Sequence, residues 1–111
     1  MLYVTDGIHG GEFCEWEKFN ASCRRQNDVI IIREAKYGRM RVNRCIKAGS
    51  GDIGCGTDVT RELETVCSGR RTCQVDNFIS HFHSKNLCPR KDFDRSNLEV
   101  GYECLKGRTI E

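Results

Sequence analysis

The chain has 111 residues, eight of them cysteine, and 18 basic against 16 acidic residues leave a net charge of +2. A chain of this length is expected to form one domain that buries only about 65% of its unfolded surface, so its thin core needs cross-links. The small net charge argues against a partner with a strong negative field, such as nucleic acid or an anionic membrane. No apolar run approaches the roughly 20 residues of a membrane span.

The two ends of the chain differ in composition from its middle. Residues 1–11 are rich in glycine and lack hydrophobic periodicity, which predicts a flexible leader. Residues 12–105 are expected to form the folded domain, and residues 106–111 a tail or linker. The first residues show no apolar signal-peptide segment, whereas the cysteines favour an oxidising compartment. We therefore interpret the sequence as a mature fragment of a secreted or extracellular protein.

The first predicted elements of the domain are short extended segments over residues 13–23. Apolar and polar residues alternate there, with Trp16 expected on the apolar face and Glu15 on the other. Asn20 begins an Asn-Ala-Ser sequon, which makes it a candidate N-glycosylation site and requires it to be exposed.

Further strands are predicted on both sides of a glycine-rich loop. Residues 29–32 are β-branched throughout, which predicts a central strand. Gly38 predicts a bend or a close backbone approach, after which residues 39–42 resume the alternation. Residues 47–54 are expected to form a loop, and residues 98–102 alternate cleanly, as in a strand.

The best helix signal spans residues 57–67. Thr57 or Asp58 can cap the first turn, and Gly69 supplies a stop after the last one. Three apolar residues of this segment fall on one stripe, namely Val59, Leu63 and Val66. Residues 77–82 favour a second short helix.

The spacing of the eight cysteines argues against a zinc site. Successive cysteines are separated by 8, 21, 9, 11, 5, 14 and 15 residues, and no pair has the short spacing of zinc knuckles and ribbons. His81 and His83 would share one side of a strand, but exposed loop histidines are the favoured interpretation. We expect no metal and four disulfides, each worth about 2 to 4 kcal/mol. Eight cysteines can pair in about 105 ways, and spacing alone does not choose among them.

Four phrases of the sequence together resemble one protein family. They are Cys-Glu at 14–15, Ala-Lys-Tyr-Gly-Arg at 35–39, Cys-Ser-Gly-Arg-Arg-Thr-Cys at 67–73 and Leu-Glu-Val-Gly-Tyr-Glu-Cys at 98–104. Over residues 13–104, the chain is similar to the galactose- and rhamnose-binding lectin domain of the sea urchin egg lectin type, which also occurs in latrophilin receptors.

This resemblance implies a fold, a disulfide pattern and a ligand class. The fold is a compact α+β domain with antiparallel strands, short helices and long loops. The implied pairs are Cys14 with Cys45, Cys23 with Cys104, Cys55 with Cys88, and Cys67 with Cys73. The implied function is calcium-independent binding of L-rhamnose or D-galactose glycans in cell recognition, agglutination or innate immunity, with no cofactor.

The resemblance also assigns a set of sugar-binding positions. Glu15 matches the glutamate that follows the first cysteine of the family, and its carboxylate can accept hydrogen bonds from two neighbouring hydroxyls. Tyr37 matches the motif tyrosine, whereas Arg39 is expected to serve the fold. Near Cys88, the family's aspartate and lysine are replaced by asparagine and serine. The predicted sugar-binding residues are Glu15, Tyr37, Asn86, Arg95, Ser96 and Asn97.

Other functions remain open at the level of the sequence. The sequence contains no serine-nucleophile elbow, zinc-protease motif or phosphate loop, so it is not expected to encode an enzyme. One alternative is an adhesion module that binds a cell-surface protein. Another is a heparan-sulfate patch of basic residues drawn from Arg24, Arg25, Arg39, Arg41, Arg44 and Lys47. Because one monosaccharide site binds weakly, we also expect either a homodimer or a larger extracellular protein.

Overall fold

The computed structural model describes residues 3–47, 53–82, 88 and 95–106. Within these ranges the chain forms six strands and two helices. In chain order they are β1 (Tyr3–Cys14), β2 (Phe19–Ser22), β3 (Asp28–Arg39), β4 (Cys55–Asp58), α1 (Thr60–Cys67), β5 (Thr72–Val75), α2 (Phe78–Phe82) and β6 (Asn97–Lys106). In the described part of the chain, neither helix is long and apolar enough to cross a membrane.

The strands form two antiparallel sheets. The larger sheet has the order β1-β6-β3-β4, so the last strand of the chain lies between the first and the third. The smaller sheet pairs β2 with β5. This arrangement of antiparallel strands with two short helices confirms the predicted α+β class.

Strand β3 lies at the centre of the fold, as its β-branched residues predict. The side chains of Ile30, Ile32, Ala35 and Tyr37 are buried in the core between the larger sheet, the helices and the smaller sheet. One edge of β3 pairs with β6 along its whole length. The other edge pairs with β4 only near its end, and the backbone of Ile30 there bonds instead to the loop after α1.

Gly38 is a point of close backbone approach, as predicted. A Cβ atom at this position would lie 2.5 Å from the Cα of Gly56 on β4 and 2.7 Å from the carbonyl oxygen of Cys55. Strand β3 runs through Gly38 and ends at Arg39, so the predicted continuation over residues 39–42 is wrong. Beyond Arg39 the chain folds back, and Arg41 forms an ion pair with Glu99 on β6.

Helix α1 begins three residues later than the predicted segment. Residues 55–58 pair with β3 as a strand, and the Asp58 carboxylate then accepts a hydrogen bond of 2.9 Å from the N–H of Thr60. A hydrogen bond with the Thr60 side chain, together with this backbone hydrogen bond, lowers the pKa of Asp58 below its usual value. Leu63 is buried in the core, and Gly69 adopts a φ of +86° directly after the turn that ends the helix.

The N-terminal residues form a strand. Residues 3–11, predicted as a leader, lie in β1, which pairs antiparallel with β6. Hydropathy patterning does not indicate this strand, because Gly10 contributes no side chain to the pattern. The backbone of Gly10 nevertheless lies close to β6. A Cβ atom there would lie 1.9 Å from the carbonyl oxygen of Val100. At the other end of the chain, β6 extends to Lys106, and residues 107–111 lie outside the described residues.

Four disulfides join all eight cysteines. They are Cys14–Cys45, Cys23–Cys104, Cys55–Cys88 and Cys67–Cys73. This is the pairing that the family resemblance implies. The first bond holds the segment after β3 against β1, and the second joins the loop after β2 to β6. These bonds supplement a small core, because each one reduces the conformational entropy of the unfolded chain.

Candidate functional site

The candidate site begins at the turn that follows β1. The N–H of Glu17 donates to the carbonyl oxygen of Cys14 over 2.8 Å, and the Glu17 carboxylate accepts the N–H of Cys14 at the same distance. Arg44 donates to both carboxylate oxygens of Glu17, at 2.7 and 3.0 Å. The Arg44 guanidinium therefore lowers the pKa of Glu17. It also fixes the turn from Cys14 to Glu17, which carries Glu15 and Trp16.

Glu15 stands in this turn and is joined to the beginning of β6. Its Oε1 atom accepts a short hydrogen bond from the backbone N–H of Ser96. The side chain remains partly exposed, and among the described residues Oε2 has no hydrogen-bond donor. The carboxylate is thus held on one side and open on the other.

Trp16 is a surface residue beside Glu15. Its side chain is 61% exposed, and the guanidinium carbon of Arg95 lies 5.4 Å from the centre of the indole ring. Such cation–π pairing orients both groups. The predicted placement of Trp16 on an apolar inner face is wrong, because β1 ends at Cys14 and the turn interrupts the alternation.

Trp16 is therefore a further candidate site residue, absent from the set that the sequence predicts. Its position next to Glu15 could have indicated this role, since the family resemblance assigns the glutamate of the Cys-Glu motif to sugar binding. Alternation alone places the indole on the apolar face of an extended segment, and only the turn geometry shows that it lies at the surface.

The structure brings four of the predicted sugar-binding residues to one region and places Tyr37 elsewhere. Arg95 is exposed, Ser96 is buried, and Asn97 is fully buried opposite Cys14 and Gly38. Neither amide atom of Asn97 has a hydrogen-bond partner among the described residues. Asn86 lies outside the described residues, so its position stays a prediction.

Tyr37 lies in the core. Its side chain is 1% exposed, and its ring packs 6.2 Å from that of Phe78 and 6.0 Å from that of Phe82. Tyr37 pairs with Leu98 across β3 and β6, so its side chain is on the face of the sheet opposite Asn97. A direct sugar contact by Tyr37 stays a prediction that depends on the resemblance.

A shallow polar cavity of about 270 Å³ lies elsewhere on the larger sheet. Its lining includes Glu12, Glu34 and the ion pair of Arg41 with Glu99, and it includes none of the predicted sugar-binding residues. In the described residues, one group of potential metal ligands is present, formed by Cys14, Glu17 and Cys45. Both of its sulfur atoms are in a disulfide, so neither can act as a thiolate ligand.

The sequence matches one known protein family. Residues 21–104 match the family described as the D-galactoside/L-rhamnose binding SUEL lectin domain, and this span includes seven of the eight cysteines. The chain belongs to this family. The protein is therefore a carbohydrate-binding lectin of the galactose and rhamnose type, and a disulfide-rich domain of this family is typical of secreted or extracellular proteins. No curated protein matches the sequence.

The matched span of the SUEL lectin domain begins after the candidate turn. Glu15 and Trp16 lie outside residues 21–104, whereas Arg95 and Ser96 lie inside them. The assignment of Glu15 therefore depends on its contact with Ser96, which joins it to the matched part of the domain.

Proposed function

We propose that this SUEL lectin domain binds L-rhamnose or D-galactose residues of glycans at the surface formed by Glu15, Trp16 and Arg95, without calcium. The observation that carries the proposal is the Glu15 carboxylate, which Ser96 anchors through one oxygen while the other stays open. An anchored carboxylate loses little conformational freedom on binding, so its hydrogen bonds to sugar hydroxyls add to the affinity.

The chemistry of the three side chains suits a neutral sugar. A carboxylate accepts hydrogen bonds from vicinal hydroxyls, and these charge-assisted bonds are stronger than neutral ones. Arg95 supplies donors to sugar oxygens at the same surface. Trp16 supplies an apolar ring for the C–H face of the sugar, and the arginine stacked on it reduces the motion of the indole.

The expected affinity is low for a single site. Each protein–sugar hydrogen bond replaces a bond to water and contributes only about 0.5 to 1.5 kcal/mol, so dissociation constants between about 1 mM and 1 μM are expected. Agglutination and cell recognition require several sites held together, through a homodimer or a larger extracellular protein. We therefore place this domain outside the cell in a multivalent assembly.

The test is a titration of the oxidised domain with L-rhamnose, D-galactose and D-glucose, followed by NMR and calorimetry. We expect saturable binding of the first two sugars, with chemical-shift changes at Trp16, Arg95 and Ser96. A chelator of divalent cations is expected to leave the affinity unchanged. Glu15→Gln is expected to weaken binding about tenfold or more, because it removes the charge from the accepting group.

The matched control for this variant is Glu64→Gln. Glu64 is an exposed glutamate on α1, and its side chain takes part in no ion pair or hydrogen bond in the described residues. The Glu64→Gln variant is expected to retain the native affinity for L-rhamnose and D-galactose. Absence of saturable binding by L-rhamnose and D-galactose would refute the lectin function, and equal affinities for the two variants would refute the site.

A further inference from the structure

Four arginines gather where two loops meet, at the end of the larger sheet remote from Glu15. Arg24 and Arg25 lie in the loop between β2 and β3, and Arg70 and Arg71 lie in the loop between α1 and β5. All four are exposed. We call these four residues the arginine patch.

Hydrogen bonds hold the two loops of the arginine patch together. The N–H of Cys23 donates to the carbonyl oxygen of Arg71 over 2.9 Å. The Arg71 guanidinium donates in return to the carbonyl oxygens of Arg24, at 3.0 Å, and Arg25, at 3.2 Å. The N–H of Ile30 on β3 donates to the carbonyl oxygen of Arg70 over 2.7 Å. The arginines are therefore presented on a built surface.

Disulfides fix the same two loops. Cys23–Cys104 ties the first loop to β6, and Cys67–Cys73 closes the second. The backbone that carries the four arginines is therefore already ordered, so the loops lose little conformational entropy when the patch binds a ligand. The loops of the arginine patch therefore have their fold before an anionic partner binds.

The arginine patch differs from the basic group that the sequence suggests. Arg39 is buried, while Arg41 and Arg44 are engaged in ion pairs with glutamates. Arg24 and Arg25 precede β3 and the other four residues of that group lie at or beyond its far end, about 35 Å away along a strand of this length. The six residues therefore do not form one surface.

The charges of the arginine patch are unpaired within the residues that the structure describes. In the described part of the chain, none of the four arginines forms an ion pair, in contrast to Arg33, Arg41 and Arg44. Asp28 begins β3 next to the patch, but its side chain is buried. A concentration of exposed positive charge on a chain of net charge +2 favours a partner with closely spaced negative groups.

We propose that the arginine patch binds a sulfated polysaccharide of the glycosaminoglycan type. A guanidinium offers a planar fork of donors that bonds two oxygens of one anionic group. Among the described residues, the forks of Arg24 and Arg25 bond no protein acceptor, while Arg70 and Arg71 add positive charge beside them, which suits a polymer with repeated sulfates. Neutral donors from Gln26, Asn27 and Ser68 stand in the same loops and suit the hydroxyls of a sugar chain.

The composition of the two loops disfavours other polyanions. Residues 24–27 and 68–71 contain no aromatic or large apolar side chain. Single-stranded nucleic acid is normally held by base stacking on aromatic rings, and a bilayer surface by insertion of apolar side chains. A sulfated sugar polymer needs neither feature.

The experiment measures binding of a size-defined heparin oligosaccharide to the oxidised domain at low and physiological salt, with unsulfated heparosan of equal length as the comparison. The test variant carries Arg24→Gln and Arg25→Gln. These two residues support the loops only through their backbone carbonyls, so the variant is expected to keep the native NMR fingerprint.

The matched control carries Lys36→Gln and Arg61→Gln, which remove the same charge from two exposed cations that have no ion pair among the described residues. The native domain and the control are expected to bind heparin and to show no measurable binding of heparosan. The Arg24→Gln, Arg25→Gln variant is expected to bind heparin about tenfold more weakly, with about half the native dependence of log affinity on log salt, since two of four cations are lost.

The proposal would be overturned by no binding of heparin at physiological salt, by equal loss of affinity in the two double variants, or by tighter binding of duplex DNA or phosphatidylserine vesicles than of heparin. Free L-rhamnose and D-galactose are expected not to displace heparin. Displacement by either sugar would show that heparin occupies the Glu15 surface and would also refute the patch. The comparison of the two double variants does not depend on whether the Glu15 surface binds either monosaccharide.

Discussion

Replacement of Gly38 by alanine tests how the centre of the sheet is built. Gly38 has a φ of +153°, where a side chain is strained, and its Cβ would lie 2.5 Å from the Cα of Gly56 and 2.7 Å from the carbonyl oxygen of Cys55. Both neighbours are backbone atoms of β4, which a disulfide and the pairing with β3 hold in place. The contact therefore cannot be relieved by rotation of a side chain.

The expected cost is the sum of two effects. Backbone strain in this region of φ is worth about 1 to 3 kcal/mol, and overpacking against fixed atoms about 1 to 3 kcal/mol more. We expect Gly38→Ala to lower the free energy of unfolding by about 2 to 6 kcal/mol. This is a large part of the roughly 5 to 15 kcal/mol that is typical of a domain.

Gly11→Ala is the matched control. Gly11 has a nearly identical φ of +147°, but a Cβ atom there would meet nothing within 4 Å. It should therefore show the strain without the collision, at about 1 to 3 kcal/mol. Urea denaturation with intact disulfides measures both variants. If Gly38→Ala is no more destabilising than Gly11→Ala, the proposed close packing of β3 on β4 is incorrect.

Three further predictions concern the candidate site and the arginine patch. Trp16→Ala is expected to lower sugar affinity about tenfold in calorimetry without lowering the melting temperature, because the indole is largely exposed. The pKa of Glu17 is lowered in the folded state by its hydrogen bonds from Arg44, so its contribution to stability is present at neutral pH and is lost as pH falls through that lowered pKa. Glu17→Gln should remove this part of the acid dependence of urea unfolding. Arg71→Gln is expected to reduce the free energy of unfolding by about 1 kcal/mol, since two bonds to loop carbonyls are lost, whereas Arg70→Gln, with one long contact, should have a smaller effect. The first expectation would be contradicted by unchanged sugar affinity of Trp16→Ala, and the second by an unchanged acid profile of Glu17→Gln. The third would be contradicted by equal stabilities of Arg71→Gln and Arg70→Gln.

The elements that the sequence predicts well are those whose side chains carry a strong local pattern. The β-branched run at 29–32 forms the buried centre of β3, and the stripe that includes Leu63 lies on the buried face of α1. The disulfide pairs were accessible only through the family resemblance, because spacing leaves many pairings open.

The elements that sequence patterning missed depend on contacts distant along the chain. β1 is held in the sheet by backbone pairing with β6, which its glycines permit but do not signal in hydropathy. Trp16 is at the surface because Glu17 and Arg44 close a turn, and Arg44 is 27 residues away in the sequence. The contact between Glu15 and Ser96 spans 81 residues, so no local pattern could indicate it.

The pairing of β1 with β6 has a consequence for how the domain is displayed. Tyr3 pairs with Lys106 at one end of the two strands, while Cys14 pairs with Asn97 at the other, about 30 Å away. The outer ends of both strands therefore lie side by side, and the turn with Glu15 and Trp16 lies at the opposite pole. A tether joined to the chain beyond Tyr3 or Lys106 would leave from the pole far from that turn, so a row of such domains on a cell surface would point the turns with Glu15 and Trp16 outward.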